Sequence, residues 1–474
     1  MIFYVVGFIV AAEGALLLLP ALTALIFLEK EGLAYLAVAA GCGVLGAALI
    51  LSCRTSAHTI YAGEGFAIVA LGWIVMSAAG ALPFVITGEI PGYVDALFET
   101  VSGFTTTGAS IVENVGTLSH ASIFWRSFTH FVGGMGVLIF IMAVIPNIAD
   151  RSINIMRAEM PGPVVGKLVP RVRQTAGILY VIYVVMTLTE MVLLAAGGMP
   201  FFDCLCYSLG TAGTGGFSAT PEGIVTPYSQ WVVTVFMMLF GVNFNLYYLI
   251  IAGKIRTALS SLELWVYLGM ILVAGSFITF MILPSYGGFG EAVRHAFFQT
   301  VSISTTTGYS TADFDKWPMV CRTTLLILMC FGGCAGSTAG GLKISRVILG
   351  LRSLGAQIKR LIHPRAVANV RFEGRPVDPG TLTGVSVYFI LYVCTLAVTF
   401  FLLSFDRLGM TENISAAVAC MNNIGPGLGL IGPASNYSAF SGFSKIVLSV
   451  AMLAGRLEFY PLLIAFLPAT WRKK

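Results

Sequence analysis

The sequence carries little charge. Asp, Glu, Lys and Arg together make up 10% of its 474 residues, whereas soluble domains carry roughly 25%. Hydrophobic residues make up 57%, and the mean hydropathy is +0.88. So few charged side chains cannot cover the water-facing surface of a chain this long, which excludes a large soluble protein. A lipid bilayer is the solvent that fits this composition.

Patterns for metal binding and catalysis are also lacking. Most of the nine cysteines stand in apolar runs, and the close pair Cys204 and Cys206 lacks the second pair or the histidine spacing of a zinc site. The five histidines show no ligand spacing either. Because we find no nucleophile, base or metal cluster, we predict that the chain is not an enzyme and holds no organic cofactor.

The N-terminus lacks the features of a cleaved signal peptide. It has no basic n-region, and no small-residue cleavage site precedes Glu29. Its apolar stretch is also longer than the ~7–15 residues of a signal-peptide core. We therefore expect a spanning helix that stays in the membrane.

The apolar residues instead form runs of about the length of a spanning helix, which is ~20 residues. We predict ten spans, at residues 2–28, 33–52, 66–88, 123–147, 175–199, 228–252, 264–284, 321–350, 384–404 and 443–468. Four shorter segments, near 94–110, 200–218, 291–310 and 411–429, end in Thr- and Gly-rich stretches. Because these segments are too short to span, they suit re-entrant loops.

Basic residues indicate the topology. An even number of spans puts both termini on one side, together with 19 of the 27 Lys and Arg residues. Basic residues collect in cytoplasmic loops. We therefore expect both termini in the cytoplasm and the four Thr/Gly-rich loops outside.

The four loops repeat one pattern. The first reads ALFETVSGFTTTGAS, the second CLCYSLGTAGTGGFS, the third AFFQTVSISTTTGYS and the fourth AVACMNNIGPGLG. The first and third match closely, whereas the second and fourth depart from T-x-G at Gly215 and Ile424. The alignment puts a glycine in each loop, and thirteen residues before these glycines stand Asp95, Asp203, His295 and Glu412. Acids near a helix start favour that register.

The spacing of the loops predicts the fold. We predict an all-α integral membrane protein with four pseudo-symmetric helix–pore loop–helix repeats around one central pore, preceded by two additional N-terminal transmembrane helices. The two helices occupy residues 1–58, and the repeats occupy residues 59–150, 151–258, 259–365 and 366–474.

The loops have the chemistry of a filter for a monovalent cation. An ion entering hydrocarbon must exchange its water for other oxygens, and rings of backbone carbonyls supply them. Glycine allows close approach of four segments, and threonine adds a hydroxyl and a stiff side chain. The loops hold no ring of carboxylates, which disfavours a divalent ion. The predicted filter residues are Thr106, Thr107, Gly108, Thr214, Gly215, Gly216, Thr306, Thr307, Gly308, Asn423, Ile424 and Gly425.

The four loops, the C-terminal GRLEFYPLLIAFLP and the glycine-rich GGCAGSTAGGLKISR resemble the TrkH/KtrB/HKT superfamily of potassium transporters. The two additional N-terminal helices are similar to the TrkH branch. The resemblance implies one pore per chain, a homodimer and the bacterial inner membrane. It also implies potassium as the ion. In the plant relatives, serine at the first filter position goes with sodium and glycine goes with potassium, and this sequence has glycine at all four positions.

A predicted break lies in the third repeat, where a glycine-rich segment interrupts an apolar run. Glycine weakens a helix by roughly 0.5–1 kcal/mol relative to alanine. The segment looks like a phosphate-binding loop, but Lys343 is one place late and no Ser or Thr follows it. Close helix packing through small residues is one interpretation; a flexible loop that obstructs the pore, where the family has its gate, is the other. The candidate gate residues are Gly332, Gly333, Gly336, Ser337, Thr338, Gly340, Gly341, Lys343 and Arg456.

Arg456 stands inside the last apolar run. A charge at membrane depth is costly and usually faces a cavity or a partner. Glu458 is two residues away and thus on another helix face. We therefore expect Arg456 to face the pore below the filter and to contact the gate segment, as the corresponding arginine does in the family.

The segments 148–174 and 351–382 are basic, contain prolines and are too short for a domain. Attraction to anionic membrane lipid is expected of them. The resemblance adds docking of a cytosolic, TrkA-like nucleotide-binding ring. This chain lacks the βαβ glycine fingerprint for binding the nucleotide itself, and we expect no nucleic-acid partner.

Two other classes compete with a potassium pore. A secondary transporter with broken helices predicts two halves related by a repeat, whereas the sequence shows four loops in one register. The other class is a sodium-coupled or less selective monovalent cation transporter, which only measured selectivity separates from the potassium pore. Passive flux and flux coupled to sodium or protons both remain open at this point.

Overall fold

The computed structural model describes residues 2–53, 62–136, 172–365 and 369–471. This part of the chain is mostly helical, with two strands of two residues each, which confirms the predicted all-α fold. We number its helices in chain order. The first two predicted spans correspond to α1 (Ile2–Leu16) with α2 (Leu18–Ile26), which form one span, and to α3 (Gly32–Ser52).

The next elements follow the predicted order of long helix, short helix, extended segment and long helix. The first repeat contains α4 (Ala62–Gly80), α5 (Leu82–Thr87), α6 (Tyr93–Phe104) and α7 (His120–Gly134). The second contains α8 (Val172–Ala196), α9 (Phe201–Gly213), α10 (Pro227–Phe240), α11 (Phe244–Ile251) and α12 (Ile255–Leu259).

The remaining two repeats are built the same way. The third contains α13 (Leu262–Ile282), α14 (Phe289–Ser304), α15 (Met319–Met329) and α16 (Ile344–Ile362). The antiparallel strands β1 (Arg371–Phe372) and β2 (Arg375–Pro376) precede the fourth, which contains α17 (Pro379–Leu403), α18 (Met410–Met421), α19 (Gly442–Arg456), α20 (Tyr460–Phe466) and α21 (Pro468–Trp471). Short 3₁₀ turns lie at Val115–Thr117, Leu283–Ser285, Phe314–Lys316 and Gly429–Ile431.

Six helices or joined helices in the described residues are long and apolar enough to span a membrane, and eight if two bent pairs are counted as spans. The predicted run 321–350 is divided between α15 and α16. The end of the predicted run 123–147 and most of the basic segment 148–174 lie outside the described residues. The count of ten spans and the repeat boundaries therefore stay predictions.

The short helices α6, α9, α14 and α18 begin next to an acid, which supports their alignment. Asp95, Asp203 and Glu412 lie in the first turns of α6, α9 and α18. The third repeat differs, because α14 begins six residues before His295 and carries Glu291 in its first turn. All four helices bury their C-terminal halves at the centre of the molecule.

The inner helices of the second, third and fourth repeats are each interrupted. The α10–α11 pair bends by 90° and the α19–α20 pair by 116°, whereas a loop separates α15 from α16. Only the third break was predicted. The break between α10 and α11 is stabilised by the Asn243 side chain, which accepts from the Asn245 amide. At the other bend, Glu458 and Phe459 have φ of 56° and 68°. Both bends lie within continuous apolar runs, so hydropathy alone does not reveal them.

Candidate ion pathway

Each of the four short helices ends in the same turn. The residue two places before the aligned glycine of each loop donates its amide to the carbonyl three residues back, and the next residue donates to the carbonyl five residues back. This is a Schellman-type helix end, which places one residue in the left-handed region. That residue is Thr106, Thr214, Thr306 or Asn423, with φ of 56°, 54°, 55° and 56°.

The turn is unusual because none of these four residues is glycine. A left-handed conformation costs such a residue roughly 1–2 kcal/mol, and strain of this kind persists where the surrounding structure enforces it. The second and fourth loops, which depart from T-x-G in sequence, thus adopt the same backbone as the first and third.

The four predicted glycines meet in a closed ring. Gly108, Gly216, Gly308 and Gly425 have φ of 75°, 82°, 85° and 92°. A β-carbon on each would lie under 3.0 Å from a backbone oxygen of the next repeat. The oxygens, in the order of these glycines, belong to Gly215, Thr307, Ile424 and Thr107. The contacts pass from the first repeat to the second, third and fourth and then return to the first.

The ring is a neutral, oxygen-rich environment. Four backbone carbonyls converge at it, and the C-terminal ends of four helices point towards it, each carrying a partial negative charge. The side chains of Thr107, Thr307 and Asn423 are fully buried next to it. Such a site can replace the water around a monovalent cation without a carboxylate.

A cavity of about 470 Å³ opens on one side of the ring. All four repeats contribute to its walls, including the four glycines. Its acidic residues are Glu113, Glu222 and Asp313, one from each of the first three repeats. We call this cavity the outer vestibule.

The glycine-rich segment closes the other side of the ring. Residues 330–343, which we call the gate loop, run between α15 and α16. The Gly340 amide donates to Thr306 Oγ1 at 2.6 Å. A β-carbon on Gly340 would lie 2.8 Å from the Asn422 carbonyl oxygen and 2.9 Å from Asn423 Cβ. The loop therefore packs directly against the ring.

The gate loop is also bonded to the break in the second inner helix. The Cys334 amide donates to the Gly241 carbonyl at 2.9 Å, and the Phe244 amide donates to the Gly336 carbonyl at 3.0 Å. Within the loop, Gly332 donates to Leu342 at 2.8 Å, and Ser337 Oγ donates to the Cys334 carbonyl at 2.7 Å. The two sides of the break, Gly241 and Phe244, thus supply backbone hydrogen-bond partners for the gate loop.

Arg456 connects the gate loop to the first repeat. Its Nη1 donates to the Thr338 carbonyl at 2.8 Å, and its Nη2 donates to the carbonyls of Gly133 and Gly134 at 2.5 and 2.7 Å. A cavity of only about 60 Å³ remains here, between the loop, Arg456 and Lys343. The predicted gate residues are therefore adjacent to one another, and they constrict the path below the ring.

Two of the 19 basic residues that we expected on the cytoplasmic side are buried. Lys343 is 2% exposed and Arg346 is 7% exposed. Lys343 Nζ donates to the Ala339 carbonyl. Arg346 forms a salt bridge with Glu458 and lies 4.0 Å above the ring of Tyr388. Counting charges along the sequence cannot reveal this placement, because the loop folds back towards the ring.

Several site residues were missed by the sequence reasoning. Glu263 on α13 accepts from the amides of Ala335 at 2.7 Å and Ser345 at 3.1 Å, so one carboxylate oxygen joins the gate loop to the first turn of α16. Glu99 and Arg126 form a buried salt bridge beside the outer vestibule. Charged residues inside or next to apolar segments were the available signal for these sites, but their partners are distant in sequence.

Together these features define a class. The chain is a polytopic membrane protein in which four re-entrant loops from one polypeptide surround a single central path.

Comparisons with known proteins identify the family. The sequence model of the TrkH family, described as cation transport protein, matches residues 34–283 and 249–473. The chain belongs to this family. A Salmonella typhimurium protein named Trk system potassium uptake protein TrkH is 33% identical over 478 residues, which cover 99% of this chain and 98% of that protein.

Other relatives match this chain over similar lengths. An Escherichia coli protein named Trk system potassium uptake protein TrkG is 33% identical over 479 residues, covering 98% of this chain and 97% of that protein. The crystal structure of the potassium transporter TrkH from Vibrio parahaemolyticus superimposes with a TM-score of 0.88 at 31% identity and covers 99% of both chains.

Proposed function

We propose that this chain carries potassium ions into a bacterial cell across its inner membrane, with the ring of four carbonyls as the selectivity filter. The observation that supports this function best is the closed ring itself, in which each filter glycine faces a carbonyl of the next repeat. The names of the relatives, which are potassium uptake proteins, agree with it.

The filter residues have distinct roles in this proposal. The carbonyls of Thr107, Gly215, Thr307 and Ile424 are the ligands closest to the glycine ring. Thr106, Thr214, Thr306 and Asn423 set the left-handed turn that aims the carbonyls at the axis. Gly108, Gly216, Gly308 and Gly425 leave the axis free, because any side chain at these positions would enter the space of a neighbouring carbonyl.

The gate loop regulates the path below the filter. Its glycines permit rearrangement of the backbone, and Arg456 adds a positive charge in the narrow cavity. A cation leaving the filter therefore meets both an obstruction and a repulsive charge. Opening requires the loop to leave the hydrogen bonds that it makes to Thr306, Gly241 and Arg456.

The proposal extends to the surroundings of the chain. Two copies form a homodimer in the inner membrane, with both termini in the cytoplasm and the outer vestibule facing outwards. The basic cytoplasmic segments contact anionic lipid and dock a TrkA-like nucleotide-binding ring, which changes the position of the gate loop. The exposed Arg371 and Arg375 in the small hairpin are basic positions available for such contacts.

Growth of a bacterium that lacks potassium uptake tests the function. We expect the wild-type chain to restore growth at low potassium, whereas Gly108→Ser and Gly308→Ser restore it poorly and increase sodium sensitivity. Gly269→Ala on α13, where a β-carbon meets no atom within 4 Å, is the matched control and should behave as wild type. Equal growth with all variants at low potassium would overturn the proposed filter, and a sodium requirement would favour the sodium-coupled alternative.

Deletion of Gly333–Ala339 tests the gate. We expect the deletion to raise ion flux in the absence of any cytosolic partner, measured with purified protein in liposomes. Unchanged flux through a correctly folded deletion variant would refute the assignment of this loop as the gate.

A further inference from the structure

Each of the four backbone segments that leave the glycine ring is bonded to a neighbouring repeat, which gives a second, outer ring of contacts. Each neighbouring pair of repeats contributes one hydrogen bond. These bonds join Arg126 Nη1 to the Ser218 carbonyl (3.3 Å), Tyr309 Oη to the Tyr207 carbonyl (3.2 Å), the Gly429 amide to Asp315 Oδ2 (2.9 Å) and the Tyr437 amide to the Ser110 carbonyl (2.8 Å).

A brace within each of the first three repeats supports this outer ring. The side chain nine residues before the filter glycine contacts the serine two residues after it. The pairs are Glu99 with Ser110 (2.9 Å), Tyr207 with Ser218 (3.1 Å) and Gln299 with Ser310 (2.9 Å). The fourth repeat has Ala416 and Gly427 at these positions, which cannot form the brace.

The brace of the first repeat is the one that carries charge. Glu99 accepts from Arg126 Nε at 2.8 Å and from the Ile111 amide at 3.0 Å. Arg126 Nη2 donates to Ser110 Oγ at 3.1 Å, and its guanidinium lies 4.2 Å from the centre of the Phe217 ring. The side chain of Arg126 is 2% exposed and that of Glu99 is 0% exposed. Arg126 thereby holds the exit of the first filter segment and reaches that of the second.

The opposite charges of Glu99 and Arg126 lie 2.8 Å apart and largely offset each other. The planar guanidinium makes several hydrogen bonds, so the pair instead fixes the positions of the groups that it contacts. Discrimination between cations depends on the number and placement of the filter carbonyls. The pair lies just beyond the ring, where a shift of the exit segment would move the Thr107 carbonyl and Gly108.

We propose that Glu99 and Arg126 are positioning residues for ion discrimination, which hold the exits of the first and second filter segments at the separation that favours potassium over sodium. This inference rests on the proposed potassium filter. It assigns no ion contact to either side chain.

Two variants separate positioning from folding. Arg126→Lys keeps the charge for Glu99 but removes the planar fork that also reaches Ser110 and Ser218. The double variant Glu99→Gln with Arg126→Gln removes both charges, so that neither is left buried alone, and an amide at position 99 can still donate to Ser110, as Gln299 does to Ser310. Arg407→Gln, at an exposed position between α17 and α18, is the control for a charge change away from the vestibule.

The measurement is the ratio of initial potassium to sodium uptake into liposomes, together with the yield and thermal unfolding temperature of each purified variant. We expect wild-type yield for the double variant, and a fall of about tenfold in the ratio for both variants, comparable to one charge-assisted hydrogen bond. The control should keep the wild-type ratio. A double variant that keeps the ratio of wild type would overturn the inference whatever its yield, and a lower yield with that ratio would mean that the pair serves folding alone.

Gly108→Ser, measured in parallel, separates this inference from the function on which it rests. If Gly108→Ser lowers the ratio and the Glu99 and Arg126 variants do not, only the positioning role is wrong. If Gly108→Ser also leaves the ratio unchanged, the potassium filter itself is wrong.

Discussion

The amide of Gly340 donates a 2.6 Å hydrogen bond to the hydroxyl of Thr306, which joins the gate loop directly to the filter. Thr306 is fully buried and occupies the left-handed turn position of the third repeat. Because the loop uses a filter residue as its hydrogen-bond acceptor, the loop cannot move away from the ring without breaking a contact to the filter. We infer that the closed position of the gate is stabilised by the filter itself.

Replacing Thr306 with valine removes this acceptor and keeps the shape of the side chain. A buried donor without a partner costs about 1–3 kcal/mol, so we expect the closed loop to be destabilised and basal potassium flux into liposomes to rise about tenfold. Thr106→Val is the matched control, because Thr106 occupies the same turn and its hydroxyl has no hydrogen-bond partner among the described residues. Equal flux through the two variants would contradict this role of Thr306.

Glu263 provides a second test of how the loop is held. One of its oxygens accepts from both Ala335 in the loop and Ser345 in α16. Glu263→Met, which has no comparable acceptor, should therefore release the loop from α16 and raise basal flux. Glu263→Gln retains an acceptor oxygen and should have the smaller effect. Glu291→Gln, in the first turn of α14, is the control and is expected to leave flux unchanged. Equal effects of Gln and Met, both of which lack the carboxylate charge, would show that charge, rather than the two hydrogen bonds, matters at this position.

Arg456 combines an anchor with a charge, and two substitutions distinguish them. Arg456→Ala removes both the bonds to Thr338, Gly133 and Gly134 and the positive charge below the filter. Arg456→Lys keeps the charge, but an ammonium lacks the planar fork that reaches several carbonyls. We expect basal flux to increase from wild type to Lys to Ala at equal expression. Wild-type kinetics in the alanine variant would count against any role in the gate.

The four filter glycines should differ in their tolerance of alanine. At Gly425 a β-carbon would lie 2.6 Å from the Thr107 carbonyl oxygen, whereas the corresponding distances at Gly108, Gly216 and Gly308 are shorter still. All four have positive φ, so the backbone cost is similar and the difference comes from the clash. We expect Gly425→Ala to retain more potassium uptake than the other three alanine variants. A reversed order, measured at matched protein amounts, would mean that the contacts around the ring are not those described.

Much of the fold could be predicted because it depends on local patterns. Hydropathy located the long helices, and the repeated TTTG located the loops of the first and third repeats. The register of the other two loops rested on single residues such as Thr214 and Asn423, and the structure gives both the left-handed φ of their counterparts Thr106 and Thr306.

The remaining features depend on contacts between distant parts of the chain. Hydropathy predicted one continuous span over 228–252, but the chain bends between α10 and α11, where the Gly241 carbonyl accepts from Cys334. Glu263 accepts a hydrogen bond from Ala335, although the two residues are separated by more than seventy positions in the sequence. A sequence pattern signals that such a charge is buried, but it does not name the partner, because packing between repeats decides it.

The central claim is that four segments of one chain coordinate a dehydrated monovalent cation. The most direct measurement is the anomalous diffraction of crystals in which rubidium replaces potassium. The account predicts rubidium peaks on the axis between Gly108, Gly216, Gly308 and Gly425, surrounded by the carbonyls of Thr107, Gly215, Thr307 and Ile424. Rubidium bound elsewhere in the membrane region, with the axis empty, would contradict it.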